Sequence, residues 1–235
     1  MEVDVIFSAD RIEEDNVRNK TAVVIDTLRA TSTIVTSLAN GAKDIIPVVS
    51  IEEAKRLKRG LAKKALVAGE RGGIKIEEFD LGNSPRAYSQ EVVLNKNIIL
   101  TTTNGTKCFA RLESAQEVVV LSLLNLEAIN NYLQDKEKVV FCCAGTHGEF
   151  ALDDFITAGK AITKLSASKE VKLSDRALVA YQIYLQNKDN LLNLIKGSKS
   201  GQNLISLGKE EDIDYIVEGR EFGVVPSYCE GKIRI

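Results

Sequence analysis

Three short apolar runs in this chain each end in small hydroxyl, amide and glycine residues, and the acids and arginines beside them are the groups best suited to chemistry. The first run, Val23-Val24-Ile25, leads into Asp26-Thr27-Leu28-Arg29-Ala30-Thr31-Ser32-Thr33. The second, Ile98-Ile99-Leu100, leads into Thr101-Thr102-Thr103-Asn104-Gly105-Thr106. The third, Val139-Val140-Phe141-Cys142-Cys143, leads into Ala144-Gly145-Thr146-His147-Gly148-Glu149, with Asp153-Asp154 just beyond. Each has the pattern of a strand feeding a helix N-terminus. Free N–H groups and a partial positive charge at such a terminus favour an anion. In an open α/β sheet, ligands bind in the crevice beyond the carboxyl ends of the strands. The expected chemistry is phosphate handling, with Asp26, Glu149, Asp153 and Asp154 close enough to hold a divalent cation. Plain capping explains any one of these turns; three that also carry four acids and an arginine ask for more.

Oxygen-only ligation by carboxylates and water suits Mg²⁺, whose coordination a substrate phosphate commonly completes. The expected metal ligands are Asp26, Glu149 and Asp153. Glu149 and Asp153 share a face if a helix starts near 149, and Asp154 then points about 100° away, toward a different ligand. Helix-dipole stabilisation is the non-catalytic account of these three acids. His147 is the chain's only histidine, which excludes a multi-histidine metal site and leaves it as an acid or phosphate donor. Asp26 resembles an aspartyl nucleophile of the haloacid dehalogenase type, but that group needs a second Asp two residues on, where Leu28 stands. A cysteine-dependent phosphatase needs an Arg six residues past its Cys, and Gly148 and Glu149 stand there. Cys142 and Cys143 therefore read as packing, and Asp26 as either nucleophile or metal ligand.

The elements that must position these groups follow from periodicity. Strands are expected over 3–7, 23–25, 44–49, 65–68, 98–101, 117–124 and 138–143, with terminal strands over 224–225 and 232–235. Helices are expected over 31–40, from a capping box at Ser50 to about 64, over 107–112, 125–134, 150–166 and 174–186, with two or three short ones over 188–219. Residues 69–90 are the least regular stretch, and long irregular connections are often functional. Glu70, Arg71, Asn83, Ser84 and Arg86 are site candidates for that reason. With no Pro/Ser linker or low-complexity tract, residues 1–235 parse as a single α/β domain.

Composition sets outer limits. The 235 residues are 44% apolar and 27% charged, which excludes a disordered or fibrous chain. A net charge of −2 gives no reason to expect nucleic acid. The basic cluster at Lys55, Arg56, Lys58, Arg59, Lys63 and Lys64 interleaves with leucines at helical spacing, as on a solvated helix face. Four cysteines without C-x-x-C spacing suggest reduced, mostly buried thiols in a cytoplasmic protein. No signal peptide or membrane span is visible.

Taken together, the blocks at Asp26–Thr33, Gly69-Glu70-Arg71-Gly72-Gly73, Gly82-Asn83-Ser84-Pro85-Arg86, Thr101–Thr106 and Gly145-Thr146-His147-Gly148-Glu149 with Asp153-Asp154 resemble the 2-phosphosulfolactate phosphatase (ComB) family over nearly the whole chain. The resemblance implies a three-layer α/β/α sandwich of the family's own kind, around a mostly parallel or mixed sheet. It also implies a Mg²⁺-dependent homodimeric hydrolase that converts 2-phospho-3-sulfolactate to 3-sulfolactate and phosphate in coenzyme M biosynthesis. Such a small, multiply anionic phosphorylated substrate fits the residues. Asp26, Arg29, Asp154 and His147 are the expected catalytic groups. Thr31, Ser32, Arg71, Asn83, Ser84, Arg86, Asn104, Gly105, Thr106 and Gly145 are the expected substrate contacts. Two other readings stay open: a phosphatase for another phosphorylated 2-hydroxy acid, and a non-catalytic sensor of a phosphorylated metabolite.

Overall fold

The computed structural model describes residues 1–61 and 65–235. Its strands are β1 (Glu2–Ile6), β2 (Thr21–Ile25), β3 (Asp44–Pro47), β4 (Ala65–Arg71), β5 (Ile74–Lys75), β6 (Asn97–Thr101), β7 (Glu117–Leu121), β8 (Lys138–Cys143), β9 (Lys172–Leu173), β10 (Ser227–Cys229) and β11 (Lys232–Arg234). The α-helices are α1 (Glu14–Val17), α2 (Ala30–Ala39), α3 (Ile51–Leu61), α4 (Gln90–Val93), α5 (Gly105–Phe109), α6 (Leu126–Tyr132), α7 (Leu152–Ser168), α8 (Asp175–Asn187), α9 (Leu191–Gly197), α10 (Lys199–Ser206) and α11 (Glu210–Glu218).

One mixed sheet holds all these strands, in the order β5-β4-β6-β3-β11-β10-β7-β2-β8-β1-β9. β4, β6 and β3 form one parallel block. β7, β2, β8, β1 and β9 form another. The hairpin β10–β11 is antiparallel to its neighbour on each side and joins the two blocks. The strands alternate sides, so β2 sends Val24 inward and Val23 outward, as a period of two requires. Both faces are covered, which is why these strands read as unbroken apolar runs.

Three layers result. The inner faces of the two blocks share one core: Val24, Val120 and Val140 with Ile45, Ile98 and Leu100, packed around Ile34 and Leu38 of α2 and Phe109 of α5. The far face of the longer block packs against α6, α7 and α8 through Ile129, Ile162 and Ala177. The far face of the shorter block, at Val67 and Ile99, packs on Ala54 of α3. This is an α/β sandwich around a mixed sheet, the class expected.

Several boundaries differ for identifiable reasons. The apolar run 117–124 stops being a strand at Leu121, because Ser122 and Asn125 form a capping box: Ser122 Oγ accepts from Leu124 N and Asn125 Oδ1 accepts from Ser122 N. The first of the two terminal strands, β10, lies at 227–229 rather than 224–225, and the pair sits in mid-sheet. The third site helix starts at Leu152, later than expected. The end of the helix after Ser50, and Lys63 and Lys64 of the basic cluster, fall on residues 62–64, outside those described. Cys108, Cys142 and Cys143 are buried free thiols and Cys229 is exposed; burial pushes the Cys142 thiol up to about 12, as suits packing.

Candidate active site

The carboxyl ends of β2, β6 and β8 meet. Ala144 N, just past β8, donates to Ile25 O at the end of β2 (2.7 Å). Gly105, at the start of α5, lies so close to Asp26 that a Cβ there would come within 2.5 Å of Asp26 Oδ2. Only glycine allows that approach, which is the physical content of Asn104-Gly105. Asp26 Oδ1 accepts from Ala30 N at the start of α2 (3.1 Å). Asp154 joins the other two turns, since Oδ1 accepts from Thr27 N (2.8 Å) and Oδ2 from Gly145 N (3.0 Å). Gly145 has φ +68°, and a Cβ on it would press on Glu149 O at 2.3 Å.

A cavity of about 300 Å³ opens at this junction. Asp26, Glu70 and Arg29 form its floor, and Asn83, Asn104, Thr146 and His147 continue the wall. Glu70 ties two loops together: Oε1 accepts from Thr103 N (2.8 Å), and Oε2 accepts from Gly73 N (2.6 Å) and Thr103 Oγ1 (3.1 Å). Asn104 Oδ1 accepts from His147 N (3.1 Å), which fixes the 145–149 turn against α5. Asp153 is buried against the Leu28 backbone and the Ser200 hydroxyl, and its Oδ1 has no partner.

The remaining expected residues are placed as follows. Thr31 Oγ1 accepts from Asp26 N (3.1 Å) and donates to Asp26 O (2.9 Å), so it closes its own turn. Ser32 Oγ donates to Thr27 O (2.8 Å) and pairs with Ser122 Oγ. Thr106 bonds back to Thr102. Ser84 Oγ donates to Asp212 Oδ1 (2.6 Å). Arg71 spends its guanidinium on Glu70 O, Thr101 Oγ1 and Val49 O. Arg86 is ion-paired to Glu211 at the surface. Glu149 is exposed, and it lies in the Thr146–Glu149 turn before α7. It therefore does not share a helix face with Asp153, because that pairing required a helix already formed at 149.

The comparisons with known proteins bear on the same residues. The model of the 2-phosphosulpholactate phosphatase family matches residues 6–231. The chain belongs to this family. Membership places it among phosphatases. A protein of Clostridium perfringens described as a probable 2-phosphosulfolactate phosphatase is 44% identical over 100% of this chain and 96% of its own length. One of Clostridium acetobutylicum with the same description is 42% identical over 99% and 100%. A third, of Caldanaerobacter subterraneus, is 41% identical over 95% and 93%.

Beyond the expected set, this family member uses its C-terminal helices. Lys199, Ser200, Asn203 and Leu204 of α10 complete the cavity. Asp212 of α11 grips Arg29: Nη1 donates to Asp212 Oδ2 at 2.6 Å and Nη2 to Gly73 O at 2.9 Å. No motif marks these positions in sequence; a single polar face on α10, Lys199 with Asn203 at a spacing of four, is the one signal available.

Burial sets the electrostatics of the floor. Loss of water pushes the Asp26 carboxyl up to about 7, with the Asp153 and Glu70 charges adding to the rise. Burial likewise raises Asp153 to about 6, and burial together with Asp153 and Asp26 raises Asp154. Among the described residues no three His, Cys, Asp or Glu side chains form a ready-made metal cluster. Mg²⁺ commonly takes only one or two carboxylates, with water and substrate phosphate supplying the rest. Asp26 and Asp153 meet that demand: both are oxygen donors, they repel each other in a buried site, and Asp153 keeps an unpartnered oxygen.

Proposed function

We propose that this chain is a Mg²⁺-dependent phosphatase that hydrolyses 2-phospho-3-sulfolactate to 3-sulfolactate and inorganic phosphate. The observation that carries the proposal is the pair of buried acids lining the cavity, Asp26 and Glu70, set beside Arg29 at the junction of three strand ends, with the buried Asp153 near enough for its charge to act on Asp26. An arrangement that only held an anion would gain nothing from mutually repelling carboxylates at its base. Asp26 and Asp153 would hold the cation, with Glu70 beside them. When bound, the cation supplies charge stabilisation to the phosphoryl oxygens.

The chain's own residues supply the remainder. Arg29, held on one side by Asp212 and Gly73 O, offers its other N–H groups to the phosphoryl group. Asp26, buried where the three strand ends meet and held through Oδ1 by Ala30 N, is placed to reach the phosphoryl group. It either attacks the phosphorus itself or takes the proton of the attacking water; in both cases the P–O bond to carbon 2 breaks and water is consumed. His147 lies at the mouth, where it can give a proton to the departing oxygen. Asp154, with both oxygens on backbone amides, positions the two turns.

Family resemblance supports a cytoplasmic homodimer working in coenzyme M biosynthesis; sedimentation checks the dimer. Phosphate release from a panel of phosphorylated 2-hydroxy acids, with and without a sulfonate, tests the substrate. Preferred turnover of the sulfonated ester is the expected result. Equal turnover of unsulfonated esters would mean another substrate, and tight binding without release would mean a sensor. Borohydride trapping during turnover separates the two routes: an acyl phosphate on Asp26 marks the covalent one.

A further inference from the structure

Two residues with permanently basic side chains line the cavity, and they differ in what their charge is free to do. Arg29 is buried with Asp212, 3% and 2% exposed, at 2.6 Å, so the pair brings a rigid hydrogen-bonding fork but no net charge. Lys199 is exposed at the first turn of α10, and no ion pair holds it among the described residues. Its near neighbour in sequence, Lys196, is taken by Glu210 and Asp214, both at 2.7 Å. The residue after Lys199 faces inward: the Ser200 hydroxyl lies beside Asp153 and 3.3 Å from Thr146 Oγ1. Lys199 therefore stands one helical position from a residue that touches Asp153, and both Lys199 and Ser200 line the same cavity. Asn203, one turn on, shares its face and donates to Gly72 O (3.4 Å). Asn83 is 5% exposed, lines the cavity and has an Oδ1 with no partner.

The ligand of the proposed reaction carries a phosphoryl group, a carboxylate and a sulfonate on three carbons. With the phosphoryl group at the floor, the other two anions must meet cationic or amide groups further out, because an unpaired anion in a closed site is strongly disfavoured. A planar guanidinium matches planar or bidentate oxyanions, whereas an ammonium is a compact point charge with rotatable donors. A sulfonate, with three equivalent oxygens and no preferred plane, suits the ammonium.

We propose that Lys199, on the α10 wall of the cavity, is the specificity-determining residue that binds the sulfonate of the substrate and product, with Asn203 beside it. This rests on the proposed phosphatase reading, and binding of the product separates the two. The experiment is calorimetric titration of the Mg²⁺-loaded protein and its Lys199→Gln and Lys199→Arg variants with 3-sulfolactate, lactate and inorganic phosphate. Lys199→Gln should weaken 3-sulfolactate roughly five-fold or more, and Lys199→Arg, which keeps the charge but not the compact ammonium, should lose less than Lys199→Gln. Affinity for lactate and phosphate should shift less than about two-fold. An unchanged affinity for 3-sulfolactate in Lys199→Gln overturns the proposal, as does an equal fall for lactate, or a wild-type protein that binds 3-sulfolactate no better than lactate. A protein that binds 3-sulfolactate through Lys199 yet releases no phosphate would refute the catalytic reading alone. Normal turnover with unaltered product affinity in Lys199→Gln would refute this inference alone.

Discussion

The floor and the outer wall of the cavity are built on opposite plans. At and beneath the floor, acids on strand ends and on the first turn of α7 are fixed by backbone amides: Asp26 by Ala30, Glu70 by Thr103 and Gly73, and, behind them, Asp154 by Thr27 and Gly145. These groups are buried and acidic. At the wall, side chains of α10 reach inward from a helix far along the chain, and Lys199 and Asn203 stay exposed. Precise placement of reacting groups needs a rigid backbone close behind them. Reading the rest of a ligand tolerates longer, solvated side chains. The Arg29–Asp212 pair connects the two plans, since it fastens α11 to the turn after β2.

Substitutions at the two regions should therefore fail in different ways. The largest effect is expected at the floor: Asp26→Asn should lower kcat by about 10²–10⁴-fold while leaving the circular dichroism of the folded protein unchanged. Near-normal turnover in a folded Asp26→Asn protein would remove that residue from the chemistry. At the link between the regions, Asp212→Ala strands a buried guanidinium, and urea unfolding should show a loss of about 3–5 kcal/mol. A loss under about 1 kcal/mol would mean that α11 is not held by this pair.

A smaller and subtler difference is the response to pH. Asp26 and Asp153 sit near 7 and 6 in the folded protein, above the ordinary aspartate value of about 4, because burial opposes their charge. Between those limits the folded state binds more protons than the unfolded one, so the stability of the metal-free protein should fall as pH rises from about 4 to 7 and then level off. A cation favours the charged carboxylates, so the gain in Tm on adding Mg²⁺ should be larger at pH 8 than at pH 5. A gain independent of pH would argue that the cation binds elsewhere.

How much of this was visible in sequence divides along the same line. The floor was legible, because strand runs ending in Asp26, Asn104 and Gly145 carry both the apolar signal and the turn chemistry within a few residues. The wall was not, because α10 follows Asp154 by a long, ordinary helical stretch and brings no spacing that chemistry demands. Residue type alone also could not tell which arginine lines the cavity, as Arg29 does on its Asp212 and Gly73 supports. Arg71 and Arg86 have the same forks as Arg29, yet one is bound to backbone and Thr101 and the other to Glu211. Thr31 and Ser32 illustrate the capping alternative, with hydroxyls turned back onto their own turn. Glu149 depended on a helix start that the positive-φ residues Gly145, His147 and Gly148 delay to Leu152. The central place of the β10–β11 hairpin had no local signal, since strand order is set by long-range pairing.

The central claim is that the buried carboxylates at the three strand ends serve phosphoryl transfer through a divalent cation. Its most direct test is phosphate release from 2-phospho-3-sulfolactate by the wild-type protein, followed before and after removal of Mg²⁺ with a chelator. The account predicts turnover that vanishes with the metal and returns in proportion to added Mg²⁺. Turnover at the same rate in chelator, or none at any Mg²⁺ concentration, would contradict it.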